Sequence, residues 1–155
     1  MWLSSLGIIH TLMSYDRADW HYGAENYPKD LPPESGGTHI GMFLAWALIH
    51  GLEGELHRED SAASLAKLRE RQMTGRQFLF KECDEKFTDE DLSDEGNAFT
   101  KEYYNVTDER GCRYLEDYDR AFPSVPAYHV EDTWQNYDKI APLIDRRFEE
   151  WKQKR

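Results

Sequence analysis

The sequence predicts a mainly α protein: a compact bundle of five or six helices around a central apolar helix at about residues 39–52. The run HIGMFLAWALIHGL is apolar on nearly every face, as is typical of a helix that others cover. Several later segments carry apolar residues at helical spacing. The 155 residues are the size of one domain and can bury about 70% of the unfolded-chain surface.

The segment before the central helix is rich in turn-forming residues. Prolines and glycines between Tyr15 and Thr38 exclude a long helix, so we expect one helical turn followed by an irregular loop. Thr38 is a good N-cap for the central helix, and Gly51 and Gly54 can end it.

The segment after the central helix predicts two further helices and a capping motif. The first helix begins at Asp60 or Ser61 and is broken at Thr74–Gly75, and a short helix then runs to Cys83. The residues Thr88–Asp91 resemble a capping box with Asp in place of Glu. They introduce a helix on which Leu92, Phe99 and Tyr103 share one face.

The C-terminal third predicts two more helices. Aromatic residues at Tyr114, Tyr118 and Phe122 recur in steps of four, which indicates a helix. Residues 123–130 form a short segment that is compatible with a small strand element. The last helix begins near Thr133, and we expect Pro142 to kink or split it.

The first twelve residues are uncharged and half apolar. They lack the basic region and small-residue cleavage site of a signal peptide, and they are too short to span a bilayer. We interpret residues 1–12 as an N-terminal extension and residues 13–155 as a single helical domain. Cys83 and Cys112 fit no metal-binding spacing and are expected to be reduced thiols, so the expected compartment is the cytoplasm.

The chain is strongly acidic, with a formal net charge of −11. Such a charge repels nucleic acid and anionic membranes, so neither is an expected partner. Between Glu82 and Asp119 lie fourteen acidic and four basic residues, so this segment carries almost all of the net charge. Aromatic residues alternate with the acids, a composition that interfaces favour. We therefore predict a surface that docks a basic protein through Asp89, Asp91, Asp94, Glu95, Glu102, Tyr103 and Tyr104.

A set of histidines offers an alternative site. On one unbroken helix, His39, His50 and His57 would align, with Glu53 beside them, and together they could bind a metal. Gly51 and Gly54 argue against an unbroken helix, and helix-end histidines also have ordinary structural roles. His21 and His129 are supplementary candidates for a general base. Because no complete catalytic or cofactor-binding motif is present, we predict no cofactor.

The chain resembles a bacterial family of uncharacterised domains. The resemblance is carried by the strings YDRADWHYG, DLPPESGGTHIGMFLAWALIHGLEG, FTDEDLSDEGNAFTKEYY and YHVEDTWQNYDKIAPLIDRRFEEW, which run from Tyr15 to Trp151. It implies a stand-alone cytoplasmic protein, similar in size and acidity to the immunity proteins encoded beside polymorphic toxins, and it assigns no catalytic residue. We predict a non-enzymatic immunity or inhibitor protein that binds a cognate toxin, such as a basic nuclease. The alternatives are a metal-dependent or acid/base enzyme and a homo-oligomerisation domain, for which a homodimer is the expected form.

Overall fold

The chain begins with a short strand and a short helix, which lead through an irregular loop into the central helix. In the computed structural model, which describes residues 13–105 and 112–155, these elements are β1 (Ser14–Arg17), α1 (Ala18–Tyr22), a 3-10 turn (Pro33–Gly37) and α2 (Thr38–Ile49). The remaining elements are α3 (Glu55–Asp60), α4 (Ala62–Arg69), α5 (Gly75–Glu82), β2 (Lys86–Thr88), a 3-10 turn (Asp89–Asp91), α6 (Asp94–Tyr103), α7 (Arg113–Ala121), a 3-10 turn (Ala127–His129) and α8 (Trp134–Gln153).

The expected mainly α fold with a small strand element is confirmed. The strands are β1 and β2, whereas residues 123–130 contain a 3-10 turn and no strand. The described residues form eight α-helices and one two-stranded sheet. The helix count exceeds the expected five or six because α1 and α3 are short helices within segments that the sequence presents as turns. Helix α8 is not split at Pro142 but continues through this residue. Pro142 is exposed, so water can reach the carbonyl group that loses its helical donor.

Helix α2 is the centre of the fold. Eleven of its twelve residues are buried, and Phe43 and Trp46 contact aromatic rings from several other elements. The helix ends earlier than expected, because Gly51 adopts a left-handed backbone conformation with φ of 73° that turns the chain away. Thr38 is the first helical residue and makes no side-chain cap, since Gly37 occupies the N-cap position.

Strand β1 pairs with β2 in an irregular antiparallel ladder. Asp16 lies opposite Phe87 and Ser14 opposite Thr88, with a bulge between them. Side chains of a regular strand alternate between two faces, whereas the bulge allows the adjacent residues Tyr15 and Asp16 both to be buried. The bulge thus directs a carboxylate into the protein.

Helices α2 and α5 are in backbone contact where Gly41 meets Gly75. A Cβ atom added to Gly75 would lie 1.8 Å from the Gly41 carbonyl oxygen. A Cβ atom added to Gly41 would lie 2.3 Å from the backbone nitrogen of Arg76. Because neither position has room for a methyl group, only glycine permits this approach.

The predicted capping box is present. The Asp91 carboxylate accepts a hydrogen bond from the backbone N–H of Thr88 at 2.7 Å, and the Thr88 hydroxyl accepts one from the N–H of Glu90 at 3.3 Å. The box caps the 3-10 turn, and Ser93 caps α6. The proposed extension, residues 1–12, lies outside the described part of the chain. Within the described residues, no helix combines the length and apolarity needed to cross a bilayer.

Candidate functional site

The carboxylates of the acidic segment that the structure describes lie on several different parts of the fold. Glu82 accepts hydrogen bonds from Ser61 and Ser64 on the α4 side. Glu85 accepts one from Tyr22 of α1. Asp117 is fully buried and holds Arg147 of α8 through two hydrogen bonds, at 2.9 and 3.0 Å. The carboxylates are therefore distributed among several elements, and some are structural.

Three of the seven predicted contact residues are buried. Asp91 is 3% exposed, and Tyr103 and Tyr104 are equally inaccessible. The Tyr103 hydroxyl donates to Asp117 at 2.7 Å, and that of Tyr104 donates to Asp16 at 2.8 Å. The prediction that these three side chains contact a partner is wrong, because each points into the core and has an internal partner.

The other four predicted residues lie at or near the surface. Asp94, Glu95 and Glu102 are exposed, together with Ala98 and Lys101, and these five residues form the solvent face of α6 (the α6 face). Glu95 pairs with Arg155 at 3.5 Å, and Glu102 accepts a hydrogen bond from the indole of Trp151. Asp89 is half-buried and accepts a hydrogen bond from the backbone nitrogen of Met13. A groove of about 430 Å³ beside Glu102 is of mixed charge, since Arg113, Arg147 and Glu150 also line it.

The alternative metal set offered by the sequence, His39, His50, Glu53 and His57, does not assemble. Because the chain turns at Gly51, α2 and α3 are separate helices, and the four side chains have different partners. His50 is exposed and lies 3.1 Å from Asp145. Glu53 pairs with Arg69 at 2.9 Å and with Arg58 at 3.5 Å. The alternative of one aligned histidine site is therefore wrong.

The two remaining histidines of that set each join a different buried cluster. In the described residues, two groups of three side chains have ligand atoms within 4.8 Å of one another: Asp16, His21 and His39 (the His39 centre), and His57, Cys83 and Asp91 (the His57 centre). The supplementary candidate His21 thus lies in a cluster. His129 lies 3.3 Å from Asp30 at the surface.

The His57 centre is closed by internal hydrogen bonds. His57 Nε2 contacts Asp91 Oδ1 at 2.7 Å, and Nδ1 contacts the Ser61 hydroxyl at 3.1 Å. Burial raises the pKa of the Cys83 thiol far above its usual range, and the Asp91 carboxylate raises it further. Both ring nitrogens of His57 already have internal partners. The His57 centre therefore has a structural role, joining α3 and α5 to the Thr88–Asp91 turn.

The His39 centre joins β1, α1 and the first turn of α2. Asp16 is 1% exposed, and four groups approach its two oxygens. Oδ1 accepts from the backbone N–H of Arg17 at 2.9 Å and contacts His21 Nε2 at 2.8 Å. Oδ2 accepts from the Tyr104 hydroxyl at 2.8 Å and lies 3.3 Å from His39 Nε2. Burial alone would raise the pKa of Asp16, but the two imidazoles outweigh it and hold this pKa well below its usual range.

His39 is the exceptional member of this centre. It is 2% exposed, and within the described residues neither ring nitrogen has a hydrogen-bond partner. Its Nε2 approaches Asp16, but the two groups are not aligned for a hydrogen bond. Burial lowers the pKa of His39, and the Asp16 carboxylate opposes this shift. The shift favours the neutral imidazole, in which one ring nitrogen carries an unprotonated lone pair.

The His39 centre can act chemically as an acid/base pair or as a set of metal ligands. It offers two imidazoles and one ionised carboxylate, and His21 is 18% exposed, so solvent can reach it. The sequence did not reveal Asp16 as a functional candidate. The available signal was a carboxylate five residues before a histidine, but only the β1 bulge directs it toward His39.

The structure therefore defines a mainly helical protein with a buried histidine–carboxylate centre at the start of its central helix. Residues 14–130 match a family described as a domain of unknown function, DUF7832, and the chain belongs to that family. The matched range contains both histidine centres and ends before α8. No curated protein and no solved structure matches the chain.

Proposed function

We propose that the chain is an immunity or inhibitor protein that binds and neutralises a basic bacterial toxin through the α6 face and the neighbouring Asp89. The observation that carries this proposal is the charge of the α6 face, on which Asp94, Glu95 and Glu102 outnumber Lys101. One of these acids, Glu95, also pairs with Arg155. The whole chain has a net charge of −11, so the field around this face favours a positively charged protein.

The backbone that carries the α6 face is anchored at its start by several hydrogen bonds. The Ser93 hydroxyl accepts a hydrogen bond from the N–H of Gly96 at 3.2 Å, which fixes the first turn of α6. The Asn97 side chain donates to the backbone carbonyl oxygens of Asp89 and Leu92, at 2.9 and 3.2 Å. A surface that is already ordered avoids part of the entropy loss on binding, and fixed charges accelerate correctly oriented encounter.

The chemistry of the partner follows from the charge. A protein that binds phosphate groups carries a basic surface, so a nuclease toxin is a natural partner for this face. The homodimer alternative has weaker support. The exposed large apolar side chains in the described chain belong to four separate segments, at Met13, Trp20, Leu56 and Val125, and do not suggest one apolar seam.

The test uses the protein encoded beside this chain in its own genome. We expect tight association, with an on-rate that falls as salt rises. The triple variant Asp94→Lys, Glu95→Lys and Glu102→Lys should lower the on-rate by about 10-fold or more, because electrostatic steering is worth about 10- to 1,000-fold.

A matched control reverses three exposed acids elsewhere, Glu25, Glu59 and Glu70, to lysine, which changes the net charge by the same amount. This control should retain most of the on-rate. If both triple variants slow association equally, net charge alone is responsible and the α6 face is not the binding surface. If neither does, or if the neighbouring protein does not bind, the proposed function is refuted.

A further inference from the structure

We propose that the His39 centre is a binding site for a divalent ion of the first transition row, such as Zn²⁺, with Asp16, His21 and His39 as its protein ligands. The three ligand atoms lie within 4.8 Å of one another, and they belong to β1, α1 and α2. Two imidazole nitrogens and one carboxylate form a ligand set that binds zinc and neighbouring transition metals in preference to calcium or magnesium. This site is independent of the α6 face and goes beyond the proposed function.

The donor atoms lie close to the spacing that a small ion requires. Asp16 Oδ1 lies 2.8 Å from His21 Nε2, and Asp16 Oδ2 lies 3.3 Å from His39 Nε2. Metal–ligand distances of about 2.0–2.1 Å place tetrahedral ligands about 3.3 Å apart. The Asp16–His39 distance equals this spacing, whereas His21 and Asp16 lie at hydrogen-bond distance and would have to separate slightly to admit an ion.

The unsatisfied imidazole of His39 is the independent observation that points to a ligand. A buried polar group without a hydrogen bond is destabilising by about 1–3 kcal/mol, so native proteins rarely contain one without a reason. Both ring nitrogens of His39 lack a partner within the described chain, and Nε2 faces the Asp16 carboxylate. A coordinated ion would bind the unused lone pair of His39 and would also neutralise the buried negative charge of Asp16.

The groups around the ligands have the arrangement that supports metal binding. His21 Nδ1 contacts the Tyr128 hydroxyl at 2.6 Å. When Nε2 binds an ion, Nδ1 carries the hydrogen and donates it to Tyr128, which holds the ring in the required tautomer. The Tyr104 hydroxyl and the backbone N–H of Arg17 donate to Asp16 and fix its carboxylate in the same way.

The site is reached from the surface. His21 and Tyr128 are only partly buried, and Tyr128 also lines an open groove of about 450 Å³ between the loop before α2 and the segment before α8. An ion can therefore enter past these two side chains. Three protein ligands leave at least one coordination position for water or another small molecule, as in zinc sites with an open position.

The test is Zn²⁺ binding by the metal-stripped, full-length, tag-free protein, measured by calorimetry in excess Mg²⁺, which occupies exposed carboxylates. We expect one Zn²⁺ per chain and, with Co²⁺, a visible ligand-field spectrum. His21→Gln should weaken Zn²⁺ binding by more than about 100-fold, and Tyr128→Phe, which removes only a supporting hydrogen bond, by about 10-fold. Glutamine can still donate to Asp16, so the fold should be retained.

The controls replace histidines outside the centre. His50→Gln alters an exposed histidine, and His57→Gln alters the other buried cluster. Both variants should bind Zn²⁺ like the unmodified protein. The proposal is overturned if no saturable binding occurs, which would leave a buried water as the partner of His39, or if His57→Gln or His50→Gln weakens binding as much as His21→Gln. Failure of partner binding at the α6 face would not affect this outcome.

Discussion

The His39 centre and the His57 centre both place histidine against a buried carboxylate, but they differ in how many polar atoms have partners. In the His57 centre, both ring nitrogens are hydrogen-bonded, and Asp91 also receives the N–H of Thr88. In the His39 centre, Asp16 has several partners but the His39 ring has no hydrogen bond among the described residues. The two centres have similar residue types, and the unused bonding capacity of the His39 ring is what distinguishes them.

The difference arises from the local chain geometry. Asp91 belongs to a capping box, so its position is determined by a turn that requires its carboxylate. Asp16 belongs to a bulged strand instead of a capping motif. Among the described residues, the local backbone contacts its oxygens only through the N–H of Arg17. His57 is therefore held by a turn that forms locally, whereas His39 meets Asp16 only after the whole fold has formed.

The largest effect that tests this comparison is expected in the His57 centre. Asp91→Ala leaves the buried His57 ring and the N–H of Thr88 without an acceptor, so it should lower the free energy of unfolding by about 3 kcal/mol. Urea unfolding of the metal-free protein measures this. Glu90→Ala, at the exposed neighbouring position, should change stability by less than about 0.5 kcal/mol. Similar effects of the two variants would mean that Asp91 is not an essential acceptor.

A pair of leucine variants compares the two histidines directly. His57→Leu removes two hydrogen bonds and leaves Asp91 without its imidazole partner, whereas His39→Leu removes a ring that has none in the described structure. In metal-free protein, we expect His57→Leu to be more destabilising than His39→Leu by about 2 kcal/mol. Equal losses in urea unfolding would show that His39 has a stabilising partner, and the contrast between the centres would then fail.

The smallest effect is a pH dependence of stability. Burial lowers the pKa of His39 in the folded protein, whereas a histidine in the unfolded chain has a pKa of about 6.5. Below about pH 6.5 the unfolded chain therefore binds a proton that folded His39 does not, and stability falls by up to about 1.4 kcal/mol per pH unit. Above that pH the contribution is complete.

His39→Leu removes this titration, so its stability should depend less steeply on pH than that of the unmodified protein. The comparison is made on metal-free samples between neutral and mildly acidic pH. Parallel curves for the two proteins would show that His39 does not contribute to the pH dependence.

Much of the fold follows from local sequence patterns. The continuous apolar character of α2 predicted a covered helix, because no single face of it could be left in water. The Thr88–Asp91 capping box was recognisable because its spacing is fixed by the turn that it closes. In contrast, β1 and β2 are short and more than sixty residues apart, so nothing local indicates their pairing.

The site was less predictable because it depends on long-range geometry. The alignment of His39 with His50 and His57 required a continuous helix, which the left-handed conformation of Gly51 prevents. Tyr103 shares the buried face of α6 with Phe99, and this spacing was the available sign that it belongs to the core. The surroundings of Asp16 involve residues up to 88 positions away along the chain, and no pattern in the sequence encodes them.

The backbone contact between Gly41 and Gly75 makes the geometry of the His39 centre depend on the spacing of α2 and α5. Replacing either glycine with alanine would force α2 away from α5, since no space exists for the added methyl group. Gly41 lies in the first turn of α2, two residues after His39, so the displacement would move His39 relative to Asp16. Two positions without any functional group therefore influence the spacing of the histidine–carboxylate pair, and one of them, Gly75, belongs to a different helix.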